Sequence, residues 1–159
     1  MTQKITPNLW FDTEAQEAAA FYCEIFKSSR IVSVAHYPES SDKAGKVLTV
    51  EWELDGERFV GINGGPQFKF DEAVSFAISC ADQDEVDYYW ERLTDGGEES
   101  MCGWLKDKFG LSWQVSPIEL IELTTDPDPG RAQRAMQAML QQRRIDIAEI
   151  RRAADGVPA

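Results

Sequence analysis

The sequence holds a single histidine, His36, in 159 residues. A catalytic divalent metal normally takes three or more His or carboxylate ligands, so a His-based centre is excluded. His36 falls at the end of a predicted strand and reads as a surface imidazole. Cysteines are also few. Cys23, Cys80 and Cys102 are odd in number and not at metal spacing. That leaves neither a disulfide framework nor a zinc site, and reduced thiols in a cytoplasmic protein are the simplest account. No apolar run approaches the roughly 18 residues of a membrane span. The N-terminus lacks the basic-then-apolar order of a secretion signal. Basic residues number 16 against 28 acidic ones, for a net charge of −12. Phosphate binding needs a basic surface, so nucleic acid is excluded as a partner, and a membrane partner is not expected either.

What remains is the composition of a globular protein, 43% apolar with five Trp, long enough for a full core. The charge is unevenly placed. Residues 1–125 hold 10 basic and 23 acidic side chains, whereas 126–159 hold six Arg and five acids. A tail less acidic than the body can pack on it, or on the body of a second copy.

Alternation over Ile5–Phe11 predicts a strand. Asp12-Thr13 then opens a helix, with Thr13 and Gln16 at capping-box spacing. Ala15, Ala18, Ala19, Tyr22 and Phe26 form its apolar stripe, and Ser28-Ser29 ends it. Ile31–Tyr37 alternates again, and a polar loop follows from Pro38 to Gly45. Lys46–Leu54 and Glu57–Asn63 read as strands joined by Asp55-Gly56, a hairpin signal. Gly64-Gly65-Pro66 closes the first half. The second half repeats the plan. Ala73–Cys80 is a strand. A helix follows with Asp82 and Glu85 at capping-box spacing, Val86, Tyr89, Trp90 and Leu93 on one face, and Gly96-Gly97 at its end. Short strands are expected near Glu98–Cys102, Trp104–Lys106 and Leu111–Pro117. Strand, helix and three strands, twice over, indicate duplication. The expected organisation is a first module at 1–66, a second at 67–124 and a helical extension at 125–159. In the extension, Asp128-Pro129 starts one helix, with Ala132, Ala135, Met136, Met139 and Leu140 in a stripe. Asp146 with Glu149 starts another, with Ile145 and Ile150 placed as a staple and a kink near Arg144.

Cys102–Pro117 is the stretch that organises the rest. It leaves a Gly-containing turn and becomes a strand with two unlike faces. Leu111, Trp113 and Val115 can pack on a helix. Ser112, Gln114 and Ser116 offer hydroxyls and an amide, which suits a cavity wall and equally a face in water.

Taken together, βαβββ twice with Leu9-Trp10-Phe11-Asp12, Ala20-Phe21-Tyr22, Ile62-Asn63-Gly64-Gly65-Pro66 and Asp107-Lys108-Phe109-Gly110-Leu111-Ser112-Trp113-Gln114 resembles the vicinal oxygen chelate superfamily. This is the group of glyoxalase I, fosfomycin-resistance and bleomycin-binding proteins and extradiol dioxygenases, and the likeness is to its PhnB-like branch. The resemblance implies an α+β fold: two βαβββ modules forming a curved mixed sheet around a cleft, with C-terminal helices, usually in a homodimer. Proteins of this branch have carried the label demethylubiquinone methyltransferase. The sequence lacks the Gly-rich strand-to-helix loop that S-adenosylmethionine would need. If the chain is an enzyme, lyase, isomerase or oxygenase chemistry is expected before methyl transfer.

Metal-using members of the superfamily place one ligand on each of four strands. The resemblance carries those positions to Thr6, Gly61, Ser75 and Gln114, of which only Gln114 can ligate, so no metal cofactor is expected. The positions in phase are Thr6, Asn8, Trp10, Gly61, Asn63, Ser75, Ala77, Ser79, Ser112, Gln114 and Ser116. The opposite phase holds Ile5, Leu9, Phe11, Val60, Ile62, Val74, Phe76, Ile78, Leu111, Trp113 and Val115 as the core. As a nucleophile Cys102 lacks a neighbouring base, and Glu51, Glu53 and Asp107 are candidate carboxylate bases. The binding reading needs less. Trp10, Trp52 and Trp104 can stack on a flat ligand, and Thr6, Asn8, Asn63, Ser75, Cys102 and Gln114 can surround and orient it. A small-molecule binder is therefore expected ahead of an enzyme.

Overall fold

The computed structural model describes residues 3–159, which divide into two units, one ending at Phe70 and one running from Asp71 to Ala159. In the first unit β1 (Asn8–Phe11), α1 (Ala15–Ile25), β2 (Arg30–His36), β3 (Val47–Leu54) and β4 (Glu57–Asn63) form the βαβββ module. The sheet order is β1-β4-β3-β2, with β1 parallel to β4 and the other pairs antiparallel. The hairpin between β3 and β4 turns on Asp55 (φ 48°) and Gly56 (φ 87°). Two successive positive φ angles match the strand twist, as the Asp-Gly pair predicted.

Two expectations here are corrected. Strand β1 begins at Asn8 rather than Ile5, which is 85% exposed. Pro7 has no N–H to give a ladder, although its carbonyl still accepts from Val60 N–H at 3.0 Å. Helix α1 begins at Ala15, and Thr13 and Gln16 form no capping box. The N–H of Thr13 donates to Glu14 Oε2, while that of Ala15 donates to Asn63 Oδ1 at 2.9 Å. The cap comes from a strand far along the chain, which local spacing does not reveal.

The first core lies between α1 and one sheet face. Leu9, Phe11, Val50, Trp52, Leu54 and Phe59 meet Ala15, Ala18, Ala19, Tyr22 and Ile25, all buried. The Trp52 ring stacks on Tyr22 and on Phe59, with centroids 6.2 and 5.9 Å apart. Burying each large side chain contributes about 1.5–3 kcal/mol. Gly61 is part of this core. A Cβ there would lie 2.9 Å from Trp52 and 3.0 Å from the Ala15 Cβ, so α1 can approach only a glycine.

The second unit repeats the arrangement with β5 (Ser75–Cys80), α2 (Gln83–Thr94), β6 (Glu98–Glu99), β7 (Trp104–Lys106) and β8 (Ser112–Pro117). The order is β5-β8-β7-β6, with β5 parallel to β8. The Asp82 cap of α2 forms, with Glu85 N–H donating to Asp82 Oδ1 at 3.0 Å, while Glu85 Oε2 accepts from the N–H of Ala81, the residue before the cap, at 2.7 Å. Val86, Trp90 and Leu93 are buried against Leu105, Trp113 and Val115 on the helix-facing side. Strand β5 starts at Ser75, leaving Val74 exposed, and β6 is shorter than expected because Cys102 (φ 60°) and Gly103 (φ 81°) turn the chain.

The extension belongs to this second unit. Helix α3 (Ile118–Thr124) directly follows β8 and was not expected. Its segment Ile118-Glu119-Leu120-Ile121-Glu122-Leu123 is short, and only tertiary packing of Leu120 and Leu123 makes it a helix. Helices α4 (Pro129–Met139) and α5 (Ile147–Ala154) begin at Asp128 and Asp146, whose carboxylates accept from Gly130 and Glu149 N–H. Residues 140–146 form a connection rather than a kink. Ile145 and Ile150 are both fully buried, in a cluster with Leu120, Leu123, Ala135, Ile147 and Ala154.

Candidate functional site

The first module contains a cavity of roughly 640 Å³, lined by Asp12, Thr13, Gln16, Tyr37, Lys43, Gly45, Lys46, Val47, Asn63, Gly65 and Pro66. The topology puts it there. Parallel strands β1 and β4 end together and α1 begins beside them, the crevice at strand carboxyl ends where open sheets take ligands. Tyr37 stands on the wall just past β2, and its hydroxyl donates to the Asn63 carbonyl at 2.6 Å. The Asn63 side chain accepts from Ala15 N–H and donates to the Val47 carbonyl at 3.2 Å. One buried amide thus ties β4 to α1 and β3 behind the cavity. The loop 37–46 is itself hydrogen-bonded: Ser41 N–H reaches Pro38 O, Ala44 N–H reaches Ser41 O, Lys46 N–H reaches Lys43 O and Tyr37 N–H reaches Lys46 O. Lys43 Nζ sits 5.4 Å from the Tyr37 ring centroid, within cation–π range.

Tyr37, Lys43, Lys46, Thr13 and Gln16 were not among the expected site residues. The available signal was the length of the 37–46 connection, longer than the two to five residues that usually join paired antiparallel strands.

The expected residues distribute as follows. Asn8 pairs with Val60, Leu9 with Gly61, Trp10 with Ile62 and Phe11 with Asn63. Asn8 and Trp10 therefore share the open face with Val60 and Ile62, whereas Gly61 and Asn63 face α1. The expected phase of β4 is overturned, because Gly61 and Asn63 are a core glycine and a helix cap. Thr6 precedes β1, and its carbonyl accepts from Asn8 Nδ2 at 3.0 Å. The Trp10 ring lies on Gly64, where a Cβ would fall 2.1 Å from it, and its Nε1–H donates to Gly65 O at 2.9 Å. Phe68 meets it edge-on. Trp52 is buried in the core rather than available to a ligand.

In the second module the expected phase holds. Ser75 pairs with Ser112, Ala77 with Gln114 and Ser79 with Ser116, and Trp104 pairs with Gln114 across β7–β8. Gln114 Nε2 donates to Ser75 Oγ at 2.9 Å. These side chains form one face, with Leu105, Trp113 and Val115 on the other. Cys102 lies outside it, half-buried in the turn before β7, where its N–H donates to Gln142 O.

The carboxylates expected as bases have other employment. Buried Asp107 accepts from Phe109 and Leu111 N–H through Oδ1 and from Trp113 Nε1–H through Oδ2, at 2.9–3.1 Å. It shapes the turn into β8. On the open face of the first sheet, Glu51 lies 3.0 Å from Arg58, and Glu53 lies 3.1 Å from Arg30. Burial pushes the Cys80 thiol up to about 12, with Glu85 adding to the effect, so it is a neutral core group. Burial also raises Cys23. Among the described residues no three His, Cys, Asp or Glu side chains gather as a metal-holding group. The positions carried over from the superfamily are a threonine outside β1, a core glycine, a serine and a glutamine whose nitrogen is bound to that serine.

A family profile described as 3-demethylubiquinone-9 3-methyltransferase matches residues 3–116. No curated protein is similar enough to count as a relative. Among solved structures, the chain is similar to a putative 3-demethylubiquinone-9 3-methyltransferase, a PhnB protein, from Bacillus cereus. The two are 34% identical over 72% of this chain and 99% of that one, with a TM-score of 0.67. A Pseudomonas aeruginosa protein (18% identity, 73% and 98% covered, TM-score 0.62) shares the fold. So does the fosfomycin resistance protein FosX of Listeria monocytogenes (17%, 77% and 96%, 0.53). With the profile covering most of the chain and the duplicated βαβββ plan present, the protein belongs to the PhnB-like family described as 3-demethylubiquinone-9 3-methyltransferase, of the vicinal oxygen chelate fold.

Proposed function

We propose that this protein binds a small organic molecule without a metal centre. The observation that carries the reading is the first-module cavity. Its roughly 640 Å³ falls within the range of about 300–1,000 Å³ typical of small-molecule sites. Its walls combine apolar surface (Tyr37, Val47, Pro66) with a few placed polar groups, as such sites do. The wall is preorganised, since Tyr37, Asn63 and the 37–46 loop are held by the hydrogen bonds described above.

The family's methyltransferase description finds no support in the strand-to-helix turns. They read Asp12-Thr13-Glu14 and Ala81-Asp82-Gln83, without the glycines a nucleotide-like cofactor needs for close backbone approach. An enzyme of the vicinal oxygen chelate type is the alternative, and metal dependence separates it from the binder. The test is a series of thermal melts on chelator-stripped protein with Mn, Fe(II), Ni, Zn and Mg, and then with a panel of aromatic and aliphatic small molecules. A ligand specific to the folded state adds about 2.7 kcal/mol at a hundred times its dissociation constant. The expected result is no saturable rise with any metal and a rise with at least one organic compound. A saturable rise with one metal, lost in Gln114→Ala, would overturn the metal-free reading in favour of the enzyme.

A further inference from the structure

We infer that the ligand of the first-module cavity is a small organic acid, its carboxylate held by Lys43 and Lys46; this rests on the binding reading above. The chain carries 28 acidic side chains against 16 basic ones, yet the cavity lining reverses that balance, with two lysines to one carboxylate, Asp12. Elsewhere six basic side chains, Arg30, Arg58, Lys106, Arg131, Arg144 and Arg151, each reach a carboxylate. Among the described residues neither Lys43 nor Lys46 has a carboxylate within ion-pair distance. Lys43 is instead directed over the Tyr37 ring, on the cavity wall.

The backbone holds both lysines in place. They lie on the hydrogen-bonded loop that Tyr37 and Lys46 close, so the backbone needs little ordering when an anion arrives. Thr13 and Gln16, at the start of α1, add polar groups to the lining. Tyr37, Val47 and Pro66 give an apolar wall for the body of the ligand. Asp12 sets the charge: a lining of net +1 suits a monoanion better than a dianion such as phosphate, and leaves an acceptor for a hydroxyl or amine of the ligand.

The test uses the full chain and three probes: benzoate, its neutral isostere benzamide, and inorganic phosphate. Titration is followed by amide chemical shifts. Benzoate is expected to bind saturably, moving the Gln16, Lys46 and Gly65 amides, with benzamide about tenfold weaker. Benzoate binding should weaken as salt is raised. The double variant Lys43→Met, Lys46→Met, both loop positions, should lose about tenfold in benzoate affinity and little in benzamide affinity. Asp12→Asn should strengthen benzoate binding, a gain that a purely structural role for Asp12 would not produce. Benzamide binding as tightly as benzoate overturns the organic-acid inference and leaves the small-molecule reading standing. Phosphate binding in preference to benzoate also overturns it. Failure of all three probes, and of the neutral compounds in the melt panel, overturns both.

Discussion

Asn63 is one residue with three structural duties. Its Oδ1 caps α1 at Ala15, its Nδ2 holds the Val47 carbonyl, and its own carbonyl receives the Tyr37 hydroxyl. Asn63→Ala strands a buried helix N–H and a half-buried carbonyl, and should cost about 1–3 kcal/mol in urea unfolding. Asn63→Asp keeps the acceptor at the positive end of α1 and loses only the donor to Val47, so it should cost less than the alanine change. An alanine variant as stable as the unaltered protein would mean that the amide is not the cap. Asp107 gives a parallel case. Its two oxygens serve three N–H groups, and an asparagine can present an acceptor to only one side. Asp107→Asn should lower stability by about 1–3 kcal/mol while leaving benzoate affinity unchanged, since Asp107 is not among the cavity residues.

At the scale of elements, the C-terminal helices are held by one apolar cluster and a few polar ties. Ile150 is fully buried among Leu120, Leu123, Ala135 and Ile147, and Ile150→Ala should cost about 2–5 kcal/mol by cavity formation. Arg151 grips Glu119 with two hydrogen bonds at 2.6 Å, joining α5 to α3. The Arg151 guanidinium holds the Glu119 carboxyl below the usual carboxylate range. A depressed folded-state value gives stability that is present above the unfolded-state pKa, about 4.3, and is lost as pH falls through the folded value. Melts below about pH 5 should therefore show a shallower acid slope for Glu119→Gln than for the parent. The effect should be small, because both side chains are partly in water.

Elements with their own local code were readable in the sequence. The Asp55-Gly56 hairpin, the Asp82 cap, the Asp128-Pro129 start and the period-two face of β8 all formed where the residues placed them. Elements set by distant partners were not readable. The cap on α1 is supplied from β4, α3 exists because Leu120 and Leu123 find the tail cluster, and the phase of β4 depends on Gly61 meeting Trp52 and Ala15. The cavity was missed for the same reason. Its lysines are surface residues until the fold brings the 37–46 loop beside the start of α1.

Taken as a whole molecule, the chain has an acidic body and an extension of opposite net sign, and no helix among the described residues is long and apolar enough to cross a membrane. The extension's apolar stripe is only half used. Ala135 and Met139 join the second unit's tail cluster, while Met136 on α4 and Leu140, the residue that caps its end, are exposed. Helix α3 likewise leaves Ile118 and Ile121, one turn apart, 51% and 60% exposed. Helices α3 and α4 are in contact, and each has exposed large apolar side chains on it or at its end. The resemblance to the superfamily implies a homodimer, and these side chains are the place to test that expectation. Light scattering at micromolar concentration should give the mass of two 17.9 kDa chains. Ile118→Glu with Ile121→Glu should shift the population toward monomer without lowering the melting point by the amount a core change would. A monomeric mass for the unaltered protein would leave this face to some other partner. A dimer untouched by the double change would move the interface off α3. Either way, benzoate affinity should not follow the oligomeric state, since every residue lining the cavity belongs to one module of one chain.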